Sequence, residues 1–328
     1  MKKIAIILFA TLTAVSLTAC KQQSDDTQIQ VSVPESSIQS FDESVTESVK
    51  ESEPTNISEI STDESSDESS EPEFIEPIQT KDSDYRSIIV NNKCRLLLYT
   101  GTEQRIIVPG KVTMDGKEYE TEIGAGCFRD TDIISLTLPD NITEIPESMC
   151  ENCLKLEQAT FANVQSIGKN AFWKCENLKF RFDDLNFGDQ TKIKRIDDCA
   201  FGFTGLYGKV TIRPDMELTD GSFQVCEHIT EVEILSGVTA IPNRTFASDC
   251  ELKKITLPSS LTSIGENAFM DTIVDTIIIP KSVTEIGYHA ITTDKVIGGK
   301  YTGIILGYKG SAAEEYANEN GIVFSPLD

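Results

Sequence analysis

Histidine and tryptophan are almost missing from this chain: 328 residues hold two histidines, His228 and His289, and one tryptophan, Trp173. That leaves little for imidazole-based acid–base chemistry or a histidine-rich metal site. Positive charge is scarce as well. Twenty-nine Lys and Arg stand against 53 Asp and Glu, for a net charge of −24. Nucleic acid and anionic lipid are held largely through Lys and Arg, so no nucleic acid partner is expected, and no electrostatic binding to lipid. The apolar stretch Ile4 to Ala14 is too short to cross a bilayer, and nothing later in the chain is longer. The motifs G-x-S-x-G, H-E-x-x-H and G-x-x-x-x-G-K-S/T are all missing. The chain is therefore read as a non-enzyme without metal or cofactor, and both histidines as surface or structural residues.

What is present begins with an address. Lys2 and Lys3 precede the apolar stretch, and Leu17-Thr18-Ala19-Cys20 closes it. This is the layout of a secretory signal, and the last four residues resemble the bacterial lipobox. That resemblance implies cleavage before Cys20 and acylation of its thiol. Each buried methylene adds about 0.8 kcal/mol, so two or three acyl chains suffice for stable attachment. Residues 1–19 are thus expected to be a lipoprotein signal peptide. The mature protein is expected at the extracellular side of the cell membrane, held there by lipid.

Residues 20–84 read as an acidic, disordered tether. Residues 21–84 contain 18 Asp and Glu against 3 Lys and Arg. Runs such as Thr62-Asp63-Glu64-Ser65-Ser66-Asp67-Glu68 cannot bury enough apolar surface to offset chain entropy. As a flexible coil the segment spans on the order of 45 Å.

From residue 95 the sequence repeats. One hexad recurs: an aliphatic residue, two turn-like or polar residues, a variable one, a small one, then Phe. It appears as Ile123-Gly124-Ala125-Gly126-Cys127-Phe128, Ile145 to Cys150, Ile167 to Phe172, Ile196 to Phe201, Leu218 to Phe223, Ile241 to Phe246, Ile264 to Phe269 and Ile286 to Ile291. The step is 22 or 23 residues, apart from one of 29 whose extra residues fall near Asp183–Thr191. Between hexads lie short β-branched runs closed by proline, such as Ile255-Thr256-Leu257-Pro258 and Ile277-Ile278-Ile279-Pro280. Gly124, Gly168, Gly265 and Gly287 are expected to supply turn conformations that other residues resist. One such coil cannot bury enough to fold alone, so the coils are expected to stack.

The combined pattern L-x-x-I-x-L-P … I-G-x-x-A-F-x-x-C is similar to the BspA-like leucine-rich repeat family of bacterial surface proteins, over about 95–324. The resemblance implies a β-rich leucine-rich-repeat solenoid. It would have about eight coils of 22–23 residues, a parallel sheet on the concave face, short helical turns and a C-terminal capping helix. Residues 85–122 look like the N-terminal cap and first repeat, 123–309 the repeats, and 310–328 the C-terminal cap. Within that cap Ser311 is a candidate N-cap with Glu314 three residues on, and Gly321 ends the helix.

Eight cysteines follow Cys20, and Cys150-Glu151-Asn152-Cys153 is a C-x-x-C. Their spacing is that of the repeat rather than of a ligand set, so they read as small buried hydrophobes. A bridge between Cys153 and Cys175, equivalent positions on adjacent coils, is the alternative.

The remaining candidate is a surface. Variable side chains of the strand runs should point outward: Glu157, Gln158 and Thr160; Thr230, Glu231 and Glu233; Lys253, Lys254 and Thr256; Asp275 and Thr276. Stacked, they form one binding face. The family resemblance implies a monomeric protein-interaction or adhesion module with a protein ligand on a host or microbial surface. A glycan-binding protein using Trp173 and scattered tyrosines, or a structural envelope protein without a specific ligand, are the alternatives.

Overall fold

The computed structural model describes residues 76–182, 192–291 and 301–327. The proposed signal, Cys20, most of the tether and the long step at Asp183–Thr191 lie outside the described residues. The rest is a spiral of short strands, most coils contributing one strand to each of two parallel ladders.

The first ladder is built from the proline-closed runs. It takes in Ile78–Gln79, Arg105–Ile107, Ser135–Thr137 and Gln158–Thr160, then Lys179–Phe180, Gly205–Ile212, His228–Ile234 and Lys254–Thr256. Thr276–Ile278, Ile304–Gly307 and Val323–Pro326 complete it. Pairing thus begins at Ile78, inside the stretch assigned to the tether, because Ile78 and Gln79 match Ile106 and Ile107. The second ladder uses the residue pairs that open each hexad: Glu144–Ile145, Ser166–Ile167, Arg195–Ile196 and Glu217–Leu218, then Ala240–Ile241, Ser263–Ile264 and Glu285–Ile286. One sheet was expected; there are two, because the hexad start is itself extended and pairs with its own copies 22 or more residues away.

Each ladder is interrupted, and the interruptions never share a joint. The second ladder breaks between the coils of Ile123 and Ile145 and again between those of Leu218 and Ile241. Both breaks have a covalent cause. At intact joints the second hexad residue donates its N–H to the preceding coil, as Gly168 does to Ile145 O and Gly265 to Ile241 O, both at 2.8 Å. At the breaks that residue is Pro146 or Pro242, which has no N–H to give. The first ladder continues across both, with Ile106 paired to Leu136 and Val210 to Val232. Where the first ladder in turn breaks, after Thr160 and after Thr256, the second holds through Ser166–Arg195 and Ser263–Glu285.

The hexad turns are not helical, contrary to expectation. Their fourth residue is left-handed in every copy: Gly126, Ser148, Asn170, Cys199, Gly221, Arg244, Asn267 and His289. The residue four further on is left-handed too, from Asp130 and Asn152 to Ser248 and Asp271. Two such residues per turn reverse the chain tightly, and their strain of about 1–2 kcal/mol each is offset by backbone bonds to the next coil, such as Phe246 N–H to Ala268 O. Gly124, Gly168, Gly265 and Gly287 do something else. None has a positive φ. A β-carbon on Gly265 would sit 2.6 Å from Asn243 N, and one on Gly168 would sit 2.8 Å from Glu147 N. These glycines let coils approach rather than turn.

Between the ladders lies one continuous core of aliphatic residues and a file of hexad phenylalanines. Rings of Phe172 and Phe201 stand 5.9 Å apart and 1° from parallel; Phe223, Phe246 and Phe269 continue at 5.6 Å intervals. Cys150 occupies the Phe position of its coil and is fully buried, and Phe161 from the strand end stacks on Phe172 instead, at 6.4 Å. The file ends at Tyr99 and Tyr85, which pack on Phe128 beneath the sheet formed by Tyr85–Val90, Lys93–Tyr99, Lys117–Ile123 and Lys111–Met114. At the other end the helix Ala312–Asn320 covers the last coil with Ala313, Tyr316 and Ala317. Ser311 is the N-cap by backbone angle, but its hydroxyl makes no cap bond; Glu314 reaches past it to Gly310 N–H at 2.7 Å. Gly321 closes the helix in the left-handed conformation, as read from the sequence. No helix among the described residues is long and apolar enough to cross a membrane.

Candidate functional site

The outward face of the first ladder carries the residues singled out from sequence. Strand alternation puts Gln158 and Thr160 outside and Ala159 inside. Glu157 precedes that strand and is exposed, its N–H bonded to Ile134 O. In His228–Ile234 the side chains of Glu231 and Glu233 face out around buried Val232. Thr230 departs from this alternation. The pairing of Gly205–Ile212 with His228–Ile234 slips between Gly208 and Lys209, leaving Thr230 as the extra residue of a bulge. Lys253 stands just before its strand, which begins at Lys254, and so both lysines are exposed without violating alternation. Thr256 is exposed at the far end of that strand. Asp275 and Thr276 are exposed at the start of the next, and Asp275 O accepts Ile304 N–H.

The charged centre of this face is a ladder of ion pairs across three coils. Glu231 lies 3.0 Å from Lys254 and 3.8 Å from Lys209, and Lys209 lies 2.6 Å from Glu233. Cross-strand register explains it, since Lys209, Glu231 and Lys254 occupy one row. Lys209 was not singled out from sequence; the bulge at Thr230 hides its register with Glu231. With side chains between about a third and two thirds exposed, such pairs contribute about 0–1 kcal/mol each.

Beyond Lys254 the face changes character. In the last sheet Ile278, Ile304 and Val323 point outward and stay exposed, with Ile273 beside them. Alternation alone marks Ile278 as outward, but its neighbours on both sides are isoleucines, and the apolar run conceals the sign of the face.

Trp173 is not at the surface. It is 8% exposed and packs edge-on against Phe203 at 4.9 Å, with Gly202 below it. The left-handed turn residues after each hexad swing this position back over the neighbouring coil, so the indole is not available to stack on a sugar. His228 is exposed, with Nδ1 3.3 Å from Glu251, and the ring of His289 stacks on Tyr288 at a hexad turn.

Seven of the cysteines lie inside; Cys250, expected to be buried like them, is half-buried and is not one of the free thiols. Cys94, Cys127, Cys150, Cys153, Cys175, Cys199 and Cys226 are buried free thiols, Cys153 and Cys175 among them. Three residues after most hexad Phe positions comes a buried hydrogen-bonding residue. Cys153 donates to Phe128 O at 2.9 Å and Cys175 to Cys150 O at 3.0 Å; Thr204 and Thr272 donate to Phe201 O and Phe269 O. Burial pushes the Cys127 thiol up to about 12 and those of Cys150, Cys175 and Cys226 well above the ordinary range. Cys153 departs from this, because hydrogen bonds from the Cys150 and Cys175 thiols hold it below its ordinary range. The thiols that burial keeps protonated are inert and satisfy turn carbonyls rather than bind metal, and among the described residues no group of three or more His, Cys, Asp or Glu is placed to hold an ion.

A polar cleft of about 320 Å³ opens at the first break of the second ladder, between Lys93, Arg95, Glu122, Asn141, Glu144 and Pro146. Arg95 and Glu122 close its floor as an ion pair at 2.8 Å, and Asn141 spans it to Thr121 O. The missing Pro146 donor is what leaves the space.

Comparison with known proteins falls on the same architecture. The family described as "BspA type Leucine rich repeat region" matches residues 112–179 and 179–296, in six copies. No curated protein matches the chain. Among solved structures, a leucine-rich repeat protein from Bacteroides ovatus is 20% identical, with a TM-score of 0.51, over 74% of this chain and 66% of that one. The T. pallidum leucine-rich repeat protein is 16% identical, with a TM-score of 0.50, over 59% of this chain and 89% of that one. A leucine-rich cell surface protein from Faecalibacterium prausnitzii is 29% identical, with a TM-score of 0.43, over 66% of this chain. The chain spans about half of that protein, 52% of its length.

Proposed function

The chain belongs to the BspA-type leucine-rich repeat family, and from that premise we propose that it is a binding module of the bacterial cell surface, anchored by lipid on Cys20. It presents the outward face of its first ladder to a protein on a host or a neighbouring microbe. The observation that carries this reading is the face itself: polar and charged side chains stand outward on its strands, with Lys209, Glu231 and Lys254 in register on three successive coils. Regular stacking gives solenoids an extended surface whose side chains vary while the scaffold does not. Leu17-Thr18-Ala19-Cys20 supports the anchor, and the acidic run after it supports a spacer between membrane and solenoid. A role in binding rather than catalysis rests on the accounting above: the thiols cap carbonyls and the histidines sit apart, on different coils.

The test is capture of host-matrix and bacterial surface proteins by the mature chain, compared with a Lys253→Glu, Lys254→Glu double variant. The reversal breaks the Lys254–Glu231 pair, a loss of about 0–1 kcal/mol at this exposure, so the melt should hold. Capture of an acidic partner should weaken and lose part of its salt dependence. Capture unchanged at a normal melt would take the site off these coils.

A further inference from the structure

One member of the buried column that follows the hexad Phe positions does not fit its neighbours. Thr131, Thr204 and Thr272 donate a hydroxyl to the Phe carbonyl of their own coil, and Cys153, Cys175 and Cys226 donate a thiol to the coil before. In the coil of Phe246 the same place is taken by Asp249, which is fully buried. A carboxylate cannot donate. Its Oδ1 accepts the Cys226 N–H at 2.8 Å, and its Oδ2 is buried with no hydrogen-bond partner. One N–H is a poor substitute for the hydration a carboxylate loses on full burial. The titratable groups facing Asp249 are Cys226 and Glu227 of the preceding coil, and Glu227 in turn faces Glu176, His228 and Glu251. Among the described residues, the charge that acts on Asp249 is the negative one of Glu227.

We propose that the folded protein holds Asp249 as a neutral carboxylic acid, in the place that threonine or cysteine fills elsewhere in the column, and that its ionisation loosens the joint between the coils of Cys226 and Asp249. Burial raises the carboxyl well above its ordinary range, in line with that geometry. The device sits at the joint where the hexad starts Leu218 and Ile241 do not pair, and the strands that follow carry the contact through Val232–Ile255. Ionisation there therefore acts on a joint that one ladder alone holds.

The sign of the effect is fixed by linkage. An acid whose folded pKa lies above its unfolded value of about 3.9 lends stability at low pH, and that stability is lost as pH rises toward the folded pKa. The experiment is chemical denaturation of the full chain between pH 5 and pH 8, for the wild type and for Asp249→Thr and Asp249→Asn. With one extra proton held by the folded wild type, the ratio of its unfolding constant to either variant's should rise about tenfold per pH unit. Infrared spectra at pH 7 should show a protonated-carboxyl band in the wild type that Asp249→Asn lacks. A ratio that stays flat with pH overturns the proposal. So does a wild-type chain without that band, even where a variant does not fold.

Discussion

The Tyr316 hydroxyl accepts the backbone N–H of Ile291 at 2.9 Å. In earlier coils the N–H at this hexad position bonds to a main-chain carbonyl of the next coil, as Phe246 does to Ala268 O and Phe269 to Ala290 O. Ile291 has no following hexad to turn to, and a tyrosine of the capping helix stands in for one. Tyr316→Phe keeps the ring and removes the acceptor. Leaving a buried N–H without a partner costs about 1–3 kcal/mol, which denaturant unfolding should show, with faster amide exchange at Ile291.

Gly265 and Asn267 lie two residues apart in one hexad and should respond oppositely to substitution. Gly265→Ala pushes a methyl against the Asn243 backbone and should destabilise by more than the roughly 1 kcal/mol at stake for a relaxed Gly–Ala exchange. Asn267 has φ 56°, so Asn267→Gly should be neutral or stabilising and Asn267→Ala should cost about 1 kcal/mol. Thermal melts of the three variants check this; a harmless Gly265→Ala would refute close coil approach as the glycine's role.

Phe172 and Phe269 are each at most 1% exposed and stacked on a neighbouring ring. Either Phe→Ala change should cost about 3–5 kcal/mol in denaturant unfolding. A loss under 1 kcal/mol at both would contradict the register of the phenylalanine file.

Alkali should unfold the solenoid through its thiols. Cys127 ionises near 9 when exposed by unfolding but only at about 12 in the fold. Its stabilising effect is complete below pH 9 and disappears as pH rises toward 12. Over that window Cys127→Ala should show a shallower fall of stability with pH than the wild type, by about tenfold per unit in the unfolding constant.

Cys20→Ala should abolish acylation and leave the protein unprocessed or released from membranes. Metabolic labelling with a palmitate analogue reads this directly, and label retained on the variant would exclude Cys20 as the anchor point.

Periodicity alone fixed much of this protein. A step of 22 or 23 residues returns the same side chain to the same place on each turn, so burial of the hexad phenylalanines, the strand character of the proline-closed runs, the capping helix ending at Gly321 and the outward placement of Glu231, Glu233, Lys254 and Thr256 all follow from local pattern. What the pattern could not hold is how one coil meets the next. That Gly265 and Gly168 serve contact rather than turning, that Pro146 and Pro242 interrupt one ladder while the other carries the joint, and that Trp173 folds back under its neighbour all depend on distances between residues 20 or more apart in sequence. The same is true of Lys209, whose pairing with Glu231 is set by a bulge, and of Asp249, whose strangeness shows only beside the threonines and cysteines above and below it. Repeats specify which side chains face inward; inter-coil hydrogen bonds, and the few residues unable to make them, decide how tightly and where the coils are joined.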